Sequence, residues 1–143
     1  MPLPITLTLA AACALLNLWL AIRCTRIRVT AGALHGDGGS RQLGQRMRAH
    51  ANFNEYTPIV LILFALVELA AGASLWLWIA ALLYTISRIA HGLGMEADKP
   101  NVARAGGTIL TWAVMLGLAG AALAIAYGVT RTTPAPSALS AQV

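Results

Sequence analysis

The apolar runs decide the fold class before any motif is considered. A membrane-spanning helix needs about 20 mainly apolar residues, and the apolar stretches of this 143-residue chain leave room for about four. Composition agrees: charged residues make up 10% of the chain, against about 25% in an average soluble domain, and the mean hydropathy is +0.70. The expected fold is all-α: a polytopic four-helix bundle over residues 1–128, with helices at about 3–26, 43–71, 74–92 and 103–127. Residues 129–143 read as a disordered tail. No room remains for a soluble catalytic domain, and secreted disulfide scaffolds, Rossmann-type enzymes and zinc fingers are excluded.

A formal charge of +5 could suggest nucleic acid, but the placement of the charges argues for membrane topology instead. Arg23, Arg26, Arg28, Arg41, Arg46 and Arg48 lie on or beside the connection between helices 1 and 2. Arg88, Lys99 and Arg104 surround the connection between helices 3 and 4, and only Arg131 falls in the tail. The short connection between helices 2 and 3 carries none, so both termini are expected on the non-cytoplasmic side. The Gly36-Asp37-Gly38-Gly39 run is a strong turn signal. No Lys or Arg precedes the first apolar run, so Ala10-Ala11-Ala12-Cys13 is read within a mature helix and not as a processing site. Cys13 and Cys24 have no metal-like spacing and read as small buried hydrophobes.

Polar residues inside spanning segments are expensive and mark function. Arg48, Asn52 and Glu55 fall at i, i+4 and i+7 of helix 2 and share one face, with Tyr56 beside Glu55. A cation, an amide, a carboxylate and a phenol can hold a ligand bearing both carboxylate and amine groups; the alternative is internal satisfaction, with Arg48 and Glu55 bridged across two turns or paired to neighbouring helices. His50 lies about 200° from Arg48 around the helix, which leaves it to a neighbouring subunit or to the cytoplasmic interface. Arg88 and His91 near the end of helix 3, with Arg104 at the start of helix 4, sit at the same level. Together they form a cationic pocket able to favour a thiolate over a thiol of pKa about 8.5; for Arg88 and Arg104 the competing reading is topological anchoring. Glu68 reads as a boundary acid reaching the headgroups. Asn17 reads as an interhelical hydrogen-bond donor, and Trp76 and Trp78 as an aromatic belt. His35, His50 and His91 are too scattered for a metal site.

The run Arg48-Ala-His-Ala-Asn52-Phe-Asn-Glu55-Tyr56-Thr-Pro58 resembles the signature of the MAPEG family, membrane-associated proteins in eicosanoid and glutathione metabolism. The Gly36–Gly39 stretch resembles its small bacterial inner-membrane branch. Arg88-Ile-Ala-His91 and Arg104-Ala-Gly-Gly are similar to its third- and fourth-helix elements. The resemblance implies a homotrimer that binds glutathione between adjacent protomers. It implies that Arg48, Asn52, Glu55 and Tyr56 hold the tripeptide, that His91 contacts it from helix 3, and that Arg104 stabilises its thiolate. His50 and a basic residue at the end of helix 1 would come from the neighbouring subunit; Arg26 is the choice there, with Arg23 and Arg28 competing. The chain departs from family patterns at Ala51, Met95, Ala105 and Thr108.

The expected activity is that of a membrane glutathione transferase or peroxidase acting on a hydrophobic electrophile or lipid hydroperoxide. Glutathione is its co-substrate, membrane lipid its surroundings, and metal and nucleic acid play no part. The rival readings are a non-catalytic glutathione- or lipid-binding scaffold of the same fold and, ranked last, a small four-helix exporter.

Overall fold

The structure, a computed structural model, describes residues 2–99 and 101–132. It contains α1 (Pro4–Thr30), α2 (Arg41–Ala71), α3 (Leu75–Gly94) and α4 (Val102–Thr132). Each is long and apolar enough to cross a membrane, so the chain is an all-α, four-helix membrane bundle. α1 continues past residue 26 because nothing breaks a helix before Gly32. α4 continues past residue 127 because the next proline is Pro134. The expected tail is therefore helical over 129–132, and residues 133–143 lie outside the described residues.

α1 packs on α2, α2 on α4, α4 on α3 and α3 back on α1, so α1 and α4 occupy opposite corners. Phe53, Phe64, Tyr84, Leu9, Leu77 and Leu118 fill the centre. Leu15, Leu82 and Leu116 point outward and are exposed, as lipid-facing residues should be. Cys13 and Cys24 are both buried and free, which fits their reading as small apolar residues. Trp76 and Trp78 stand exposed in the first turn of α3.

Both long connections sit at one end of the bundle. Gly36, Gly38 and Gly39 take positive φ in the first, and the Ser40 side chain then caps α2 by accepting from the Leu43 N–H. The α3–α4 connection is tied across: Glu96 pairs with Arg23 of α1 and, at 2.6 Å, with Arg46 of α2, while Asp98 pairs with Arg41.

The opposite end corrects the reading of Glu68. Its side chain is buried and does not reach the headgroups. Instead its carboxylate accepts the Ile5 N–H at 2.9 Å, the Thr6 N–H at 2.7 Å and the Thr6 hydroxyl at 2.7 Å. A helix start leaves backbone donors unpaired, and in a bilayer each would cost several kcal/mol. Pro4 has no N–H to satisfy, and the Leu7 N–H bonds the Leu3 carbonyl. The first turn of α1 is thus fully satisfied, with Glu68 of α2 supplying two of the acceptors.

Candidate functional site

α2 crosses the connection-bearing end of the bundle with its polar half. Arg48 and Glu55 both point outward, their nearest charged atoms 3.9 Å apart and their side chains well exposed. That is the outer limit of an ion pair, and such exposed pairs contribute about 0–1 kcal/mol. Both charges remain available to a ligand.

Asn52 turns inward instead. Its side-chain oxygen accepts from Arg88 Nη2 of α3 at 2.7 Å. Arg88 Nη1 donates to Thr111 Oγ1 of α4 at 3.2 Å, and Thr111 also meets the Ser87 hydroxyl at 3.0 Å. The Arg88 guanidinium carbon lies 5.8 Å from the Phe53 ring centre and 5.9 Å from that of Tyr56, within cation–π reach. With 2% of its surface exposed, Arg88 is no cytoplasmic anchor: it joins α2, α3 and α4 from inside.

One turn on, His91 is also buried. Its Nδ1 lies 3.1 Å from Thr108 Oγ1 and 3.3 Å from the Arg104 carbonyl oxygen, and its Nε2 has no hydrogen-bond partner. Gly107 makes this contact possible. A Cβ there would lie 2.6 Å from the Ser87 carbonyl oxygen and 2.8 Å from the His91 nitrogen.

Arg104 opens α4. Asn101 holds its backbone: the Arg104 N–H donates to Asn101 Oδ1 at 2.9 Å, and Asn101 Nδ2 donates to the Gly94 carbonyl at 2.8 Å. The Arg104 side chain is exposed and makes no hydrogen bond or ion pair among the described residues. It borders a groove of about 430 Å³ lined with Asn101, Ala105, Thr108, Ile109 and Trp112. Tyr56 meets the lining of this groove through Trp112, its oxygen accepting from Trp112 Nε1 at 3.1 Å.

The arginines at the end of α1 divide cleanly. Arg23 is taken by Glu96 and the Gly92 carbonyl, and Arg28 by the carbonyls of Ala33 and Leu34. Arg26 makes no side-chain hydrogen bond or ion pair among the described residues and lies on the outer surface beside Ile22, Thr25, Val29 and Thr30. His50 Nε2 lies 2.5 Å from Asn17 Oδ1 of the same chain. Asn17 does bond between helices, but through its oxygen, as an acceptor rather than a donor.

Within one chain the expected cationic pocket is therefore spread out. Arg88 is inside, Arg104 faces one groove, and Arg48 and Arg26 look outward from α2 and α1. Among the described residues no group of three His, Cys, Asp or Glu could hold a metal. Sequence reasoning missed Asn101, Thr111 and Trp112 and assigned Thr108 no contact. Thr108 and Thr111 follow Arg104 at i+4 and i+7 and could have been placed on its face. The pairing of Trp112 with Tyr56 crosses helices and has no sequence signal.

The sequence profile of the MAPEG family matches residues 6–124. The protein named "Inner membrane protein YecN" from Escherichia coli strain K12 is 30% identical over 108 residues, which span 75% of this chain and 81% of that one. The protein of the same name from E. coli O6:H1 strain CFT073 gives the same values.

Proposed function

The chain belongs to the MAPEG family, and from that premise we propose that it is a multi-pass bacterial inner-membrane glutathione transferase. The observation that carries this reading is the fate of its arginines. Arg23, Arg28 and Arg46 are neutralised or hydrogen-bonded by the chain itself. Arg104 remains exposed without a side-chain partner among the described residues, and Arg48 is held only loosely by Glu55. Uncommitted guanidinium groups at the edge of a membrane favour an anionic ligand.

In this reading Arg48 holds a carboxylate of glutathione, Glu55 its amine, and Asn52 and Tyr56 its peptide and cysteine portions. His91 contacts it from α3. Arg104 favours the thiolate electrostatically, and Arg88 acts from behind by holding Asn52 in place. The thiolate then attacks a hydrophobic electrophile arriving from the bilayer: a carbon–sulfur bond forms and the leaving group departs with its electron pair. Positioning both reactants and stabilising the sulfur charge are the two rate terms. Reduction of a lipid hydroperoxide by glutathione uses the same thiolate.

A neighbouring copy completes the site. Glu55, Ile59, Ile62, Leu66 and Leu69 are exposed at alternating spacings of four and three residues along α2, the period of a helix–helix seam. This supports self-association along the helix that carries Arg48 and Glu55, in a homotrimer. Arg26 lies on α1, the corner opposite α4, so it meets Arg104 only across subunits. His50 belongs to the same neighbouring contribution.

The test is ultraviolet absorbance of glutathione thiolate on the purified protein in detergent, beside glutathione binding. Arg104→Ala should lose most of the thiolate signal and keep binding, whereas Arg48→Ala should lose binding. Binding without thiolate in the unaltered protein would assign the fold to a non-catalytic ligand-binding role. Unimpaired thiolate in both variants would refute the role assignments.

A further inference from the structure

Among the residues that border the Arg104 groove, Trp112 has no part in the reading above. It lies ten residues into α4, about 15 Å along the helix axis, and remains partly exposed. An indole on a membrane helix commonly places its N–H among the headgroups, as Trp76 and Trp78 are placed to do in the first turn of α3. Trp112 lies deeper along its helix, and its N–H is spent inside the protein, on the Tyr56 oxygen at 3.1 Å. This bond joins α4 to α2 at the border of the groove that Arg104 shares with Thr108 and Trp112.

We propose that Trp112 is a positioning residue that fixes the Tyr56 hydroxyl as a hydrogen-bond donor toward the sulfur held beside Arg104. The inference rests on the glutathione reading given above.

The argument is one of donor and acceptor capacity. An indole N–H can only donate, so the phenol oxygen must accept in this pair. Trp112 is the one bonded neighbour of that oxygen among the described residues. The phenolic proton prefers the plane of its ring and has two positions there. A donor on one side leaves the other side to the proton, so Tyr56 keeps its O–H for a ligand. The Arg88 guanidinium, 5.9 Å from the Tyr56 ring centre, supports the ring from within the bundle. Tyr56 is thereby held from two helices, with its one donor unspent. A thiolate is an acceptor only, so a phenol fixed as donor discriminates in favour of the ionised sulfur. A phenol free to rotate does so less.

The experiment compares the unaltered protein with Trp112→Phe, Tyr56→Phe and the double variant, all purified in detergent with glutathione. Thiolate absorbance and glutathione affinity are measured separately. Tyr56→Phe should lower the thiolate equilibrium on the order of tenfold, the loss of one hydrogen bond to a charged group. Trp112→Phe should lower it about threefold with little change in affinity, because the donor persists but is no longer oriented. The double variant should be no worse than Tyr56→Phe alone, since Trp112 acts through Tyr56.

Additive losses in the double variant, or an unchanged thiolate signal in Trp112→Phe, would overturn the assignment while leaving the glutathione reading intact. Absence of both binding and thiolate in the unaltered protein would instead remove the glutathione reading, and this inference with it. A second measurement needs no substitution at Trp112. The indole N–H band in ultraviolet resonance Raman spectra should shift toward the unbonded position in Tyr56→Phe. An unmoved band would mean the bond is absent and would overturn the proposal whatever the fate of the Trp112 variant.

Discussion

Arg88 on α3 and Asn52 on α2 are joined by a 2.7 Å hydrogen bond from Nη2 to the amide oxygen, and the same guanidinium reaches Thr111 on α4. A buried cation therefore sets the orientation of a side chain proposed to hold the ligand. A hydrogen bond to a charged group contributes about 1.5–3 kcal/mol. Arg88→Ala and Asn52→Ala should show a coupling of that order in a double-mutant cycle on unfolding in detergent. Arg88→Lys should recover little of it, because a compact ammonium on a flexible stem cannot span Asn52 and Thr111 together. Independent, additive losses would mean that the two side chains do not act as a unit.

The Glu68 clamp predicts a stability effect far from the candidate site. Glu68→Gln keeps the shape but turns an N–H₂ group toward backbone donors, so one acceptor is lost. The expected cost is about 1.5–3 kcal/mol for hydrogen bonds to a charged group. Thr6→Ala removes only the part-buried hydroxyl bond to the same carboxylate and should cost about 1.5 kcal/mol, the lower end of that range. Thermal unfolding in detergent measures both, with glutathione binding expected to persist. A Glu68→Gln variant as stable as the unaltered protein would return Glu68 to a headgroup role.

These two networks show where the sequence was legible and where it was not. Hydrophobic length predicted four spanning helices, and helical spacing put Arg48, Asn52 and Glu55 within two turns. Spacing could not tell that Asn52 faces inward to Arg88 while Arg48 and Glu55 face out, because the division depends on which helices pack against α2. Glu68 failed for a related reason. A lone acid near a helix end has the same pattern whether it reaches water or caps a neighbour whose first residue is sixty-four positions earlier. Arg26 could be separated from Arg23 and Arg28 only once Glu96 and the loop carbonyls had claimed the other two.

Two adjacent glycines should behave oppositely. At Gly107 an added Cβ meets the backbone of Ser87 and His91, which cannot swing aside as a flexible side chain would. Gly107→Ala must push α4 away from α3, loosening His91 from Thr108 and displacing Arg104. A loss of about 1–3 kcal/mol in stability is expected from such overpacking, together with a reduced thiolate signal. Gly106 faces open space, and Gly106→Ala should leave stability within about 1 kcal/mol, the gain in helix propensity offsetting little else. Equal melting temperatures for the two variants would show that the α3–α4 contact is looser than these distances imply.

Topology fixes the compartment from which the site draws its ligand. Both basic connections lie at one end of the bundle, joined by the bridges of Glu96 and Asp98, and Arg48 and Arg104 stand near that end. By the charge bias this end is expected in the cytoplasm, where glutathione keeps thiols reduced. Cysteine placed at exposed positions tests this directly, since native Cys13 and Cys24 are buried. Ala73→Cys, in the α2–α3 connection, should react with a membrane-impermeant thiol reagent in cells whose outer membrane admits it. His35→Cys, in the α1–α2 connection, should react only after the inner membrane is opened. The reverse pattern would face Arg48 and Arg104 away from the cytoplasmic thiol pool, and the proposed transferase would then need glutathione supplied from outside the cell membrane.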